Sequence, residues 1–203
     1  APLNSVVFVD AQKFAEMRDA GALVLDARSA DAVTAGHLEG AVNADEGVLF
    51  KDLTPVMADP LAFAWVVESL SAIAEAEMID VVVGVEARGF VFGAAVAHRL
   101  CSPFVPVRKP GKLPGSTCSV AYELEYGTDG LEIHVDAIAI GARVAIVDDV
   151  LATGGTAAAC VDLVKLVKAD PVSLLVVLEL EALRGQERLE GLPVHALIVD
   201  EGD

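Results

Sequence analysis

The sequence predicts an α/β fold, a central parallel sheet flanked by helices. Three observations carry that prediction. Short runs dominated by Val, Ile and Leu recur along the chain, helical stretches separate them, and 54% of the 203 residues are hydrophobic, enough for a large core. Runs that are apolar throughout, rather than alternating, suit strands covered on both faces.

Strands are expected at 6–9, 22–26, 81–85, 104–107, 144–147, 174–180 and 195–199. The first clear helix starts at Asp59-Pro60, a capping carboxylate followed by proline in the first turn, and runs to about Ala76. A second is expected at 90–100, and a third from Thr156 to about Lys168, with Val161, Val164 and Val167 at helical spacing. One segment breaks the alternation. Residues 115–134, GSTCSVAYELEYGTDGLEIH, read as a hairpin or flap with its turn at Gly127-Thr-Asp-Gly130.

A net charge of −17 excludes broad affinity for nucleic acid or an anionic membrane. The basic residues are nevertheless concentrated. Between Ala87 and Tyr122 there is no Asp or Glu, yet Arg88, Arg99, Arg108, Lys109 and Lys112 lie there, five of the chain's 14 Lys and Arg. An anion site accounts for that island better than chance clustering on a solvated face. The three cysteines have no metal-ligand spacing and suit reduced thiols. With no secretory pattern at the N-terminus and no apolar run near the ~20 residues of a membrane helix, a soluble, cytoplasmic protein is expected. The four scattered histidines read as structural.

Ligands of an open parallel sheet bind at the carboxyl ends of its strands. After 144–147 come Asp148 and Asp149, then Ala152-Thr153-Gly154-Gly155-Thr156, then a helix. The glycines let backbone N–H groups turn toward one point, the helix start adds partial positive charge, and the threonines add hydroxyls, which together suit a phosphate. The lysine of a nucleotide P-loop is missing, and the glycine spacing is not that of a dinucleotide fingerprint. Adjacent carboxylates repel, so the pair needs solvent, a cation or a bound polyol. Two carboxylates beside a phosphate cradle suit a ribose 5-phosphate. After 81–85 comes Glu86-Ala87-Arg88-Gly89 at another helix start, where a cation is poorly placed for the helix dipole unless it shares an anion. Arg108-Lys109-Pro-Gly-Lys112 follows the next strand. Two anion sites around a diol clamp suit a ribose carrying a 5-phosphate and a 1-pyrophosphate.

The stretch VDDVLATGGT (147–156) resembles the phosphoribosyl pyrophosphate (PRPP) motif of the type I phosphoribosyltransferases. GVLFKDLTP (47–55), EARGFVFG (86–93), VRKPGKLPG (107–115) and YELEYGTDGLEIHVDAI (122–138) narrow the resemblance to the adenine-specific members, over about residues 47–195. It implies the type I phosphoribosyltransferase fold with a catalytic flap and a hood, and transfer of phosphoribose from PRPP to adenine, giving AMP and pyrophosphate. Asp148 and Asp149 would hold the ribose hydroxyls, and Ala152, Thr153, Gly154, Gly155 and Thr156 the 5-phosphate. Arg88 would bind pyrophosphate with Glu86 and Ala87 beside it, joined by a cis peptide, and Arg108, Lys109 and Lys112 assisting. Glu125 would be the acid/base at the imidazole of adenine, with Tyr126 helping to close the flap. Leu49, Phe50 and Lys51 would hold the base. Mg²⁺ would enter with PRPP and take no direct protein ligand, and the assembly would be a homodimer. The alternatives are a transferase for another base, which the flap and the GVLFKD segment speak against, and a PRPP-sensing regulator or catalytically impaired PRPP-binding protein; an intact Glu125 and the lack of a DNA-binding element speak against the regulator.

Residues 1–46 depart from that pattern, lacking the proline-rich lead into the 47–55 segment. VLDARSADAVTAGHLEGAVNAD (24–45) instead resembles the first half of a rhodanese domain, without that family's active-site cysteine loop. A βαβ appendage of this size falls below what folds alone. The expected division is therefore an appendage at 1–46 and a transferase domain at 47–203.

Overall fold

The run Val81–Val85 is buried along its whole length, as an apolar run without alternation must be when both faces are covered. The computed structural model describes the backbone of residues 25–26, 42–43, 45–47, 50–124 and 127–201, with side chains from Asp52 onward except 123–124 and 127–128. It divides into compact units of 1–66 and 67–203, the division falling inside one helix.

In the first unit, β1 (Leu25–Asp26) pairs in parallel with β2 (Val42–Asn43), and β3 (Asp45–Gly47) pairs antiparallel with β4 (Phe50–Asp52). The expected strand at 6–9 and most of 22–26 lie outside the described residues. A short helix that sequence reasoning missed, α1 (Thr54–Ala58), follows. Its signal was present: Asp52 Oδ1 accepts the Thr54 N–H at 2.9 Å and the Thr54 hydroxyl at 2.6 Å, and Pro55 fixes φ for the first turn. Then α2 (Pro60–Ala76) begins as expected, with Asp59 Oδ1 accepting the N–H groups of Leu61 and Ala62, both at 2.8 Å.

The second unit is built on five parallel strands. These are β5 (Val81–Val85), β6 (Phe104–Val107), β9 (Arg143–Leu151), β10 (Asp170–Leu180) and β11 (Val194–Asp200), in the order β11-β10-β9-β5-β6. The hairpin of β7 (Thr117–Leu124) and β8 (Gly127–His134) stands outside that sheet. Helix α3 (Gly89–Leu100) connects β5 to β6, and α4 (Gly155–Leu166) connects β9 to β10. The chain therefore winds outward from β5 to β6 and then, from β9, in the other direction. The crevice between the carboxyl ends of β5 and β9 is the switch point, where such sheets bind ligands.

The core centres on those strands. Val144, Ala145, Ile146 and Val147 are fully buried, as are Leu174, Leu175, Val176 and Val177, and α4 lays Ala157, Cys160, Val161, Leu163 and Val164 into one cluster with Val144, Ile146, Leu174 and Val176. Each fully buried Val or Leu contributes about 1.5–3 kcal/mol relative to exposure, so the switch point rests on the most heavily buried part of the unit. At the opposite end of the sheet Glu77 accepts the Ser173 hydroxyl and sits 2.7 Å from His195 Nε2, joining the residues after α2 to β10 and β11. Among the described residues no helix is long and apolar enough to cross a membrane.

Three sequence expectations need correction. Strand β9 does not stop at Val147. Its pairing with β5 ends at Val147 opposite Gly84, but its pairing with β10 continues to Leu151 opposite Glu179. Asp148 and Asp149 are thus strand residues beyond the reach of β5. In the hairpin, Gly127 pairs with Leu124 and Gly130 with Ala121, so Gly127–Gly130 is strand and not turn. Gly130 answers to packing instead: a Cβ there would sit 3.0 Å from Pro110 Cγ. Helix α4 also stops at Leu166, short of Lys168.

Candidate active site

Because β9 outruns β5, its end lies open to the start of α3. Helix and strand approach so closely that a Cβ on Gly89 would lie 2.8 Å from both Asp148 Oδ1 and the Val147 carbonyl oxygen. Only glycine allows that approach. It carries Arg88, the residue before α3, to Asp149, with Nε 2.7 Å from Oδ2. Asp149 is 6% exposed, and among the described residues its Oδ2 accepts no hydrogen bond, the guanidinium being close but poorly aligned. Asp148 Oδ1 accepts the Asp149 N–H at 2.9 Å. Burial, then the Asp149 charge, pushes the Asp148 carboxyl well above the usual carboxylate range, with Arg88 opposing. The cation that adjacent carboxylates require is thus Arg88, a residue whose place at a helix start the dipole alone would not favour. The Glu86-Ala87 peptide leading to it is cis.

Past Leu151 the chain turns through Ala152, Thr153 and Gly154 into α4. Gly154 has φ +78°, and a Cβ on it would lie 2.3 Å from the Gly185 carbonyl oxygen. Gly185 is equally confined, since its own Cβ would lie 2.3 Å from the Ala152 carbonyl oxygen. Among the described residues no side chain caps α4. The N–H groups of its first turn, from Gly155 and Thr156 onward, are therefore free for an anion at the helix start. The Thr156 hydroxyl donates to Tyr122 Oη on the hairpin at 3.3 Å.

The third cluster follows β6, on the other side of β5. Arg108 makes a two-pronged contact with Glu86, Nε and Nη2 each 3.1 Å from a carboxylate oxygen, and the Lys109 N–H adds a bond to Glu86 at 2.9 Å. The Arg108 hydrogen bonds hold the Glu86 carboxyl below its ordinary value. Lys109 Nζ lies 2.9 Å from Asp129 Oδ2, while Lys112 makes no ion pair among the described residues. Arg88, Asp148, Asp149, the 152–156 loop and the Glu86–Arg108 pair thus share the carboxyl edge of three adjacent strands, β9, β5 and β6.

Glu125, Tyr126 and Leu49 lie outside the described residues, and of Phe50 and Lys51 only the backbone, in β4, is described. Sequence reasoning missed Asp129, Tyr122, Gly185 and Glu132. Their partners lie 15 to 34 residues away, and no local pattern announces such pairs.

Residues 60–193 match the phosphoribosyl transferase domain. The chain is 51% identical over 158 residues to the adenine phosphoribosyltransferase of Methylobacterium sp. (strain 4-46), covering 77% of this chain and 87% of that one. It belongs to the adenine phosphoribosyltransferase family. Among solved structures, the adenine phosphoribosyltransferase of Thermoanaerobacter pseudethanolicus is 49% identical with a TM-score of 0.73, covering 77% of this chain and 91% of that one. The Saccharomyces cerevisiae member, solved with an imino-altritol bisphosphate and adenine, is 43% identical with a TM-score of 0.71, covering 75% and 89%. These matches bear out the α/β fold with its parallel sheet and the family expected from the motifs. The cradle, the carboxylate pair and Arg88 all lie within the matched 60–193 span.

Proposed function

We infer that the protein transfers the 5-phosphoribosyl group of PRPP to adenine, releasing pyrophosphate and giving AMP. The observation that carries this reading is the uncapped, glycine-turned start of α4 beside Asp148, Asp149 and Arg88, at the switch point of a chain in this family. The 5-phosphate takes the N–H groups of Gly154, Gly155 and Thr156, with Ala152 and Thr153 completing the loop. Asp148 and Asp149 accept the ribose hydroxyls and stabilise positive charge that develops on the ring. Arg88 binds the pyrophosphate beside Glu86 and Ala87. Arg108, Lys109 and Lys112 add charge from the neighbouring loop.

As adenine N9 bonds to C1 of the ribose, the C1–oxygen bond breaks and pyrophosphate leaves with its electron pair. Glu125 manages the imidazole proton of adenine at N7, and Tyr126 helps to exclude water. Leu49, Phe50 and Lys51 receive the base, a role supported by the GVLFKDLTP motif alone. Among the described residues no group of three or more His, Cys, Asp and Glu could hold a metal. Mg²⁺ would enter with PRPP beside Asp148 and Asp149 and, when bound, would supply charge stabilisation to the leaving pyrophosphate. The same proposal includes a homodimer, an appendage at 1–46 resembling half a rhodanese domain without sulfur transfer, and a cytoplasmic location. The last is supported by three unpaired thiols, Cys101, Cys118 and Cys160.

The test is AMP and pyrophosphate formation from PRPP, Mg²⁺ and adenine, with hypoxanthine, guanine and orotate in parallel. Turnover with adenine alone is expected. Turnover with another base would reassign the substrate, and PRPP binding without turnover would leave a binding protein.

A further inference from the structure

Glu132 lies in β8, between the core residues Leu131 and Ile133, and is 5% exposed. A carboxylate buried to that degree is costly unless its lone pairs are filled. Here they are filled by one loop. Oε1 accepts the N–H of Lys112 at 2.9 Å and of Leu113 at 2.8 Å, and Oε2 accepts the Thr117 hydroxyl at 3.3 Å. The Glu132 backbone meets the other end of the same loop: its N–H donates to the Arg108 carbonyl oxygen at 2.7 Å, and its carbonyl accepts the Arg108 N–H at 3.0 Å. Glu132 makes no ion pair within 4 Å among the described residues. It therefore grips the loop by its backbone, leaving Arg108 to Glu86, Lys109 to Asp129 and the Lys112 ammonium without an ion pair among the described residues.

Glu86 and Asp129 hold the Arg108 and Lys109 side chains, and Glu86 takes the Lys109 N–H, but the backbone at Lys112 and Leu113 is held by Glu132. Residues 108–113 have little side-chain anchorage in the core, and Gly111, with φ +78°, has open space where a Cβ would be. We propose that Glu132 is the positioning residue of the pyrophosphate subsite, fixing the 108–113 backbone so that Arg108, Lys109 and Lys112 present one preformed face to the diphosphate. The proposal rests on the transferase reading above. The same hydrogen bonds, that of Leu113 first, hold the Glu132 carboxyl below its ordinary value, so it stays an acceptor throughout the neutral range.

The test is the reverse reaction, AMP with pyrophosphate, in the full chain, because it gives the two ligands separate KM values. Glu132→Ala releases the loop. A rise of roughly tenfold in KM for pyrophosphate is expected, the worth of one charge-assisted hydrogen bond, with KM for AMP within about twofold of wild type. Glu132→Gln retains Oε1 as an acceptor for both N–H groups and should recover most of the loss. An equal rise in both KM values, or an unchanged KM for pyrophosphate in Glu132→Ala, overturns the proposal. Should Glu132→Ala fail to fold, Thr117→Val and Glu132→Asp carry the test, since each weakens a contact of the carboxylate. A selective rise in KM for pyrophosphate in both supports it, and no change in either overturns it. Wild-type protein inert in both directions would instead sink the transferase reading itself.

Discussion

At the end of β9 the charged groups are held by the core. Asp148 and Asp149 continue a strand whose preceding four residues are fully buried, and Gly89, Gly154 and Gly185 let backbone segments close around them. At the foot of the hairpin the charged groups are held by their own counter-ions. Arg108 rests on Glu86, Lys109 on Asp129, and the loop between β6 and β7 on Glu132. The first region is stabilised by burial and steric fit, which salt does not readily weaken and pH weakens only through the Asp148 carboxyl. The second is stabilised by ion pairs and hydrogen bonds, which both can weaken. In the proposed reaction the first holds the part of PRPP that stays and the second the part that leaves. A rigid grip suits the ribose phosphate that both substrate and product share, and a releasable one suits the departing diphosphate.

The largest effect should come from the chain joining the two hairpin strands. Glu125→Gln removes the proposed acid/base and adds no bulk. Loss of kcat by roughly a hundredfold or more is expected, with PRPP binding by calorimetry within a few-fold of wild type. If turnover persists, another group handles the proton and the hairpin serves only to cover the site.

Next is the rigid region itself. Gly154→Ala places a Cβ against the Gly185 carbonyl oxygen and demands a positive φ of a residue that avoids it. Destabilisation of about 2 kcal/mol or more is expected in thermal or urea unfolding, along with loss of the phosphate cradle. Wild-type stability would show that the loop can move away, and that the contrast with the hairpin foot is false.

Much of the rigid region was legible in the sequence, and little of the other. Val81–Val85, the glycine loop and the paired aspartates are local patterns, each with a local cause. Where the reading failed, the cause was distant. Two adjacent carboxylates look like the end of a strand, yet β9 continues because β10 pairs with it as far as Leu151. Gly127 and Gly130 look like a turn, but Gly130 is small because Pro110 lies against it. Glu132 looks like an outward residue of an alternating strand. Its burial depends on a loop 19 and 20 residues away.

A smaller effect tests the cost of burying Asp148. Its carboxyl is raised, so the folded chain binds that proton more tightly than the unfolded chain. The stability from this group is fully present below the unfolded value of about 3.9 and is lost as pH rises through the folded value. Asp148→Asn buries no charge. At neutral pH the ligand-free variant should unfold at a higher temperature than wild type, by about 2–4 °C for a gain of about 1 kcal/mol. The difference should vanish below about pH 4, and PRPP binding should be lost. A variant less stable than wild type at pH 7 would mean that Arg88 compensates the pair fully.

The smallest effect separates the two regions by salt. Asp129→Asn leaves all the cations in place but frees Lys109, which is 56% exposed in its pair with Asp129. Lys109 holds the Asp129 carboxyl below its ordinary value, helped by hydrogen bonds from the Gly130 N–H and Tyr122. The stability this group adds is therefore present above its unfolded value and lost as pH falls through the lowered one. Because the lysine is exposed, removing the carboxylate should cost only about 0.2–1 kcal/mol. Asp129 and pyrophosphate also compete for one ammonium. Freed of that competition, the variant should show a lower KM for pyrophosphate at low ionic strength, with the gap closing toward 1 M salt, where the screening length falls to about 3 Å. A salt-independent change would put the hairpin foot in the same class as the end of β9, held by fit rather than by charge.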